Sequence, residues 1–98
     1  MQIDKLRGQH LDELFEAILS LKDKEECYHF FDDIATMSEI QSLSQRLQVA
    51  KMLTQGATYN AIEEKTNAST ATISRVRRCI NYGSDGYKIV LDRIMEDK

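Results

Sequence analysis

Proline is absent from this 98-residue sequence, and glycine occurs only four times. With so few helix-breaking residues, long helices are permitted almost everywhere. Cysteine is nearly as scarce. Cys27 and Cys79 fit no CxxC or metal-ligand spacing, so two reduced, partly buried thiols are expected rather than a disulfide framework or a metal centre. No apolar run approaches the roughly 20 residues that cross a bilayer, and no signal-peptide pattern is present. The expectation is a cytoplasmic chain without membrane association. Internal repeats, low-complexity tracts and flexible linkers are also missing. Catalytic signatures are missing too: there is no P-loop, no glycine-rich dinucleotide turn and no nucleophile motif. His10 and His29 fall on separate helical stretches with no partner at catalytic spacing, so an enzyme is not expected.

What the sequence does contain is helical periodicity. Ninety-eight residues make one domain, of a size at which a single core stabilises only modestly and oligomerisation often contributes. From about His10 to Lys22 the apolar residues Leu11, Leu14, Phe15, Ile18, Leu19 and Leu21 cover an arc of about 160° at about 100° per residue. Asp23 is placed to cap a second helix running through Cys27, Tyr28, Phe30, Phe31 and Ile34, with an apolar arc of similar width. Two broad apolar faces in so short a chain call for a partner, and a second copy of the chain is the economical one. Thr36 or Ser38 is placed to cap a third, longest helix that reaches about Gln55 and stops at Gly56. Ile40, Leu43, Leu47 and Ala50 form one stripe on it, and Val49, Met52 and Leu53 a second near its end. After Asn81-Tyr82-Gly83, Ser84 is placed to cap a last helix whose Tyr87, Val90, Leu91, Ile94 and Met95 return an apolar face to the body. Met1 to Gly8 is expected to be frayed. The fold expected is all-α, with about six helices.

The stretch from Thr58 to Arg78 is the most specific. Asn67-Ala68-Ser69 breaks the pattern with an asparagine, which tolerates the left-handed conformation that ends a helix, followed by a good N-cap serine. One helix should stop near Thr66 and the next start after Ser69. Ile62 in the first, and Ile73, Val76 and Ile80 in the second, point inward and hold the pair together. The outer face of the second helix then carries Thr70, Ala71, Ser74, Arg75 and Arg78, small groups early and guanidinium groups late. Small residues at a helix N-terminus allow close approach to base edges, and arginines pair with phosphates or take guanine bidentately. The pattern reads as a helix-turn-helix whose second helix enters the major groove of double-stranded DNA. The candidate contacts are Ser69, Thr70, Ala71, Thr72, Ser74, Arg75, Arg77 and Arg78.

The net charge of −3 opposes nucleic-acid binding until its distribution is considered. Between Ile34 and Tyr82 there are six basic residues against three acidic ones, and elsewhere seven against thirteen. The positive charge is concentrated around the proposed head, and the rest is acidic enough to repel DNA.

Ile62, Ser69 and the run Ala71-Thr72-Ile73-Ser74-Arg75 resemble the helix-turn-helix consensus of bacterial regulators, in particular that of the tryptophan repressor family. Upstream, Arg46, Leu47, Val49 and Leu53-Thr54-Gln55-Gly56 are similar to the helix that feeds that family's DNA-reading head. The likeness covers nearly the whole chain and is strongest for the small repressor-like YerC/YecD form. The chain departs from the wider consensus at Glu63, where a small residue is usual, at Asn67, where glycine is usual, and at Ala68, where a larger apolar residue is usual. The resemblance implies an intertwined homodimer, with a dimerisation body at about 9–55 and 84–97 and a DNA-reading head at about 58–81. It further implies a sequence-specific transcriptional regulator, a repressor, that binds near-palindromic sites. Two recognition helices related by a two-fold axis reach successive major grooves about 34 Å apart. The competing expectation is a dimeric helical adaptor that uses the same region to bind another protein and has no DNA-binding activity.

No cofactor is expected. The resemblance allows a small-molecule corepressor, since the family's pocket is framed by two arginines and a threonine, and Arg46, Arg75 and Thr36 fall at the matching positions. Val76, however, replaces the glycine after the second arginine, and Cys79 replaces a serine. The β-branched side chain fills room a flat ring needs, and cysteine is a poorer hydrogen-bond partner. Tryptophan is therefore not the expected ligand, and Arg46 and Arg75 are read as contacts to phosphate or to nearby carboxylates; a different effector, or none, fits equally well.

Overall fold

The structure, a computed structural model, describes residues 1–95. Among the described residues there are six α-helices, one short 3-10 helix and no strand. The helices are α1 (Gln9–Leu19), α2 (Lys24–Ile34), α3 (Met37–Thr54), α4 (Tyr59–Thr66), α5 (Thr70–Tyr82) and α6 (Gly86–Ile94). The all-α, six-helix expectation is met. The chain divides into two compact units between Ile40 and Gln41, within α3. Residues 96 and 97, the end of the expected dimerisation body, lie outside the described residues.

In the first unit the expected fraying of Met1 to Gly8 gives way to a 3-10 helix at Gln2–Leu6. Asp4 holds it, accepting from the amino terminus at 2.9 Å and from Arg7 Nε at 2.6 Å. These bonds, Arg7 first, lower the Asp4 pKa. α1 ends at Leu19 instead of running to Lys22, because the Ser20 hydroxyl donates to the Ala17 carbonyl at 2.6 Å and the Leu21 amide to Ile18 at 3.2 Å, tightening the last turn. Asp23 caps α2 as expected, accepting from the Glu26 amide at 2.9 Å, while Glu26 accepts from the Lys22 amide at 2.8 Å. Of the two candidate caps for α3, Thr36 is the one used. Its hydroxyl accepts from the Glu39 amide at 3.1 Å and Glu39 accepts from the Thr36 amide at 2.9 Å, a reciprocal capping box. No side chain in the 3-10 helix, α1 or α2 is buried. Leu19 is 83% exposed, Tyr28 75% and Met37 71%.

Among the described residues, the second unit holds every buried one: Val49 and Ala50 from α3, Ile62 from α4, Ala68 from the turn, Ile73 and Val76 from α5, and Leu91 from α6. Each large aliphatic side chain removed from water here contributes roughly 1.5–3 kcal/mol. α3 closes as its sequence predicts. Gly56 takes φ +86°, with the Ala57 amide donating to Met52 and the Gly56 amide to Leu53, both at 3.0 Å. This is the paired bonding of a Schellman cap, whose left-handed residue favours glycine. α6 starts later than expected. Asp85, not Ser84, occupies the N-cap position, in the left-handed conformation and without a side-chain capping bond. The expected apolar face of α6 is also split. Tyr87, Leu91 and Met95 pack on the cluster containing Ile73 and Val76, while Val90 and Ile94 are exposed. Spacing of i, i+4, i+8 selects the narrower stripe. Both cysteines are free and exposed rather than partly buried. No described helix is long and apolar enough to cross a membrane.

Candidate nucleic-acid interface

The turn between α4 and α5 is built by side chains. Asn67 adopts φ 60° and ψ 15°, the left-handed conformation expected of it, and its amide donates to Glu63 at 2.9 Å. The Thr66 hydroxyl donates to the Ile62 carbonyl at 2.7 Å and accepts from the Ala68 amide at 3.1 Å, turning the chain inward so that Ala68 is buried. Ser69 then caps α5, its hydroxyl accepting from the Thr72 amide at 3.1 Å. A cap of this kind is worth about 1 kcal/mol. α3 supplies a brace from outside the motif, where Gln45 Nε2 donates to the Thr66 carbonyl at 3.0 Å.

On this frame Ile73 and Val76 bury one side of α5, and the opposite side is open. Thr70, Ser74 and Arg78 follow one another at four-residue intervals along an exposed strip, with exposed Ala71 and Arg75 beside them. The remaining three sequence-predicted contacts are placed differently. Ser69 is exposed but spent on the cap, and Thr72 is half-buried against it, with the two hydroxyl oxygens 3.2 Å apart. Arg77 lies one turn beyond buried Ile73, on the flank, with its guanidinium 5.7 Å from the centre of the Tyr59 ring. Among the described residues none of Arg46, Arg75, Arg77 and Arg78 forms an ion pair. Four guanidinium groups are therefore uncompensated by carboxylates among the described residues.

Thr70 is exposed as expected, but its hydroxyl is engaged. It donates to Glu63 Oε2 of α4 at 2.6 Å, bridging the two helices of the motif. Sequence reasoning noted Glu63 only as a departure from consensus. It also missed Gln45 and Tyr59. The only sequence signal for the Glu63–Thr70 pair was their seven-residue separation across a turn of known handedness.

Arg46 and Arg75 do come together. With Ala71, Val76, Cys79 and Tyr87 they line a cavity of about 200 Å³. Burial raises the Tyr87 phenol pKa, with charge on Cys79 acting the same way and Arg46 opposing. Val76 and Cys79 both face this space. Thr36 belongs to the first unit, where it is engaged with Glu39. No group of His, Cys, Asp and Glu side chains suited to a metal ion occurs among the described residues.

Comparison with known proteins gives one consistent answer. Residues 9–95 match the family described as Trp repressor protein. The uncharacterized protein YerC of Bacillus subtilis is 68% identical over 96 residues, spanning 98% of this chain and 92% of that protein. A crystal structure from Staphylococcus aureus, of a protein proposed to be a Trp repressor, superposes with a TM-score of 0.94 at 64% identity, covering 97% of this chain and 95% of that one. A TrpR like protein from Eubacterium eligens superposes with a TM-score of 0.91 at 59% identity, covering 94% of this chain and 95% of that one.

Proposed function

We propose, from the premise that the chain belongs to the Trp repressor protein family, that it is a sequence-specific DNA-binding transcriptional regulator, a repressor, acting in the cytoplasm as a homodimer on near-palindromic sites. The role is regulatory rather than catalytic. The observation that carries this reading is the open side of α5, where small residues at the N-terminal end give way to Arg75 and Arg78, which form no ion pair among the described residues, fixed from behind by Ile73 and Val76. Small groups admit close approach to base edges, and free guanidinium groups suit phosphate or guanine.

Dimerisation is supported by the first unit, which buries no side chain in its first three helical elements and exposes Phe15, Leu19, Tyr28 and Ile34. A groove of about 480 Å³ in the same unit is lined by Cys27, Tyr28, Phe31, Met37 and Ile40. Apolar surface of this extent is uncommon on a monomer. In this reading the first unit supplies the body and α4–α5 the head. Arg46 and Arg75 serve as phosphate contacts, with no effector required.

The test is titration of labelled genomic fragments at several salt concentrations, with chain mass measured in parallel. The expected result is a dimer whose affinity falls with salt at a log-log slope of about −0.9 per neutralised phosphate. A dimer that binds no fragment at low salt would instead favour the adaptor reading.

A further inference from the structure

We infer that Glu63, held by Thr70, is a base-selecting residue that favours a cytosine amino group at one position of each half-site. The inference rests on the reading of α5 as the DNA-contacting helix. A hydroxyl has one proton to donate, and the Thr70 proton goes to Glu63 Oε2 at 2.6 Å. What Thr70 has left is lone pairs, and the carboxylate offers only acceptors. The side chains of the Glu63–Thr70 pair therefore present an edge made of acceptors alone, just where the exposed strip Thr70, Ser74, Arg78 begins. No ion pair compensates Glu63 among the described residues, so nothing local masks it.

An acceptor-only edge meets three kinds of group in a major groove. Phosphate oxygens repel it. Guanine and thymine offer further acceptors. Only the exocyclic amino groups of cytosine and adenine donate, and adenine sets its amino group beside the N7 acceptor, which leaves one clash for each bond made. Cytosine is the remaining match. Tethering to Thr70 limits the rotamers open to Glu63, which makes the preference depend on position.

The test uses the full chain and a duplex it selects from a random pool, with each base pair of one half-site then replaced in turn. Wild type is compared with Glu63→Ala, Glu63→Gln and Thr70→Val. At one position, replacing cytosine should cost wild type about tenfold in affinity. Glu63→Ala should lose that preference while binding unrelated duplexes more tightly, since a repulsive charge has gone. Glu63→Gln should move the preference at the same position toward adenine, because an amide pairs with both its amino group and N7. Thr70→Val should weaken the preference without changing its position. A wild type that selects sequence alongside folded dimeric Glu63 variants with an unchanged base profile would overturn this inference alone. A wild type that binds no duplex would overturn the DNA reading together with it.

Discussion

Gln45 and Thr66, separated by 21 residues, meet through a 3.0 Å bond from the Gln45 side-chain amide to the Thr66 main-chain carbonyl. The carbonyls of a helix's last turn have no partner inside the helix. Gln45 satisfies one of them from α3 and so fixes where α4 ends, which in turn fixes where α5 begins. Gln45→Ala should cost about 0.5–1.5 kcal/mol, seen as a lower denaturant midpoint with an unchanged slope. It should also weaken DNA binding more than its distance from the exposed face of α5 would imply. A variant with wild-type stability and affinity would show that the turn holds without this brace.

That bond also marks the boundary of what the sequence discloses. The caps at Asp23, Thr36 and Ser69 are local, each decided by a side chain and an amide three residues on, and so is the left-handed Asn67, whose own amide bonds the Glu63 carbonyl four residues back. Such features are readable from neighbouring letters, and they placed α4, α5 and the open face correctly. Two things were not local. α6 carries enough apolar residues for two stripes, and only the position of Ile73 and Val76 selects Tyr87, Leu91 and Met95 over Val90 and Ile94. The start of α6 was missed by one residue because Ser84 and Asp85 are equally good caps by type, and Asp85 takes the position in a left-handed conformation that few residues tolerate. Within the candidate site, the groups facing outward were legible from periodicity, and those joined sideways across the motif, Glu63 to Thr70 and Arg77 to Tyr59, were not.

Gly83 closes α5 so that the chain can reverse into α6. A β-carbon added there would stand 2.3 Å from the Cys79 carbonyl oxygen, a main-chain atom that cannot move aside without opening the helix end. Gly83→Ala should therefore destabilise by about 1–3 kcal/mol. Gly86, three residues on, has open space around the equivalent position. Gly86→Ala should stabilise by about 0.4–1 kcal/mol by restricting the unfolded chain. Thermal unfolding of both at one chain concentration checks the contrast. Equal shifts in the same direction would show that the close approach at Gly83 is relieved at no cost.

Tyr87 predicts a loss of stability in alkali. Its phenol pKa is raised in the folded chain, first by burial and then by charge on Cys79. As pH rises through the ordinary phenol value of about 10, the unfolded chain gives up this proton before the folded one does, so the folded state binds more protons and stability falls. The contribution is fully present below that value and is lost as pH climbs through the raised folded value. Tyr87→Phe should show a shallower decline than wild type between about pH 9 and pH 11, measured by urea unfolding at each pH. Parallel curves would mean that the phenol titrates alike in both states.

Arg77 and Arg78 are neighbours in sequence and should separate in function. Arg77 sits over Tyr59 on the flank of the motif, a cation–π contact worth about 0.5–1 kcal/mol at an exposed site. Arg78 is on the exposed strip with no protein partner of its own among the described residues. Arg78→Ala should leave unfolding unchanged, weaken all duplexes alike and flatten the salt dependence by about 0.9 per contact, or about 1.8 for a dimer. Arg77→Ala should lower the unfolding midpoint and move the salt slope by less than half as much. The two variants thus exchange which measurement they disturb. If Arg77→Ala flattened the slope as much as Arg78→Ala, the DNA-facing surface would have to extend around α5 toward Tyr59, and the strip drawn through Thr70, Ser74 and Arg78 would be too narrow.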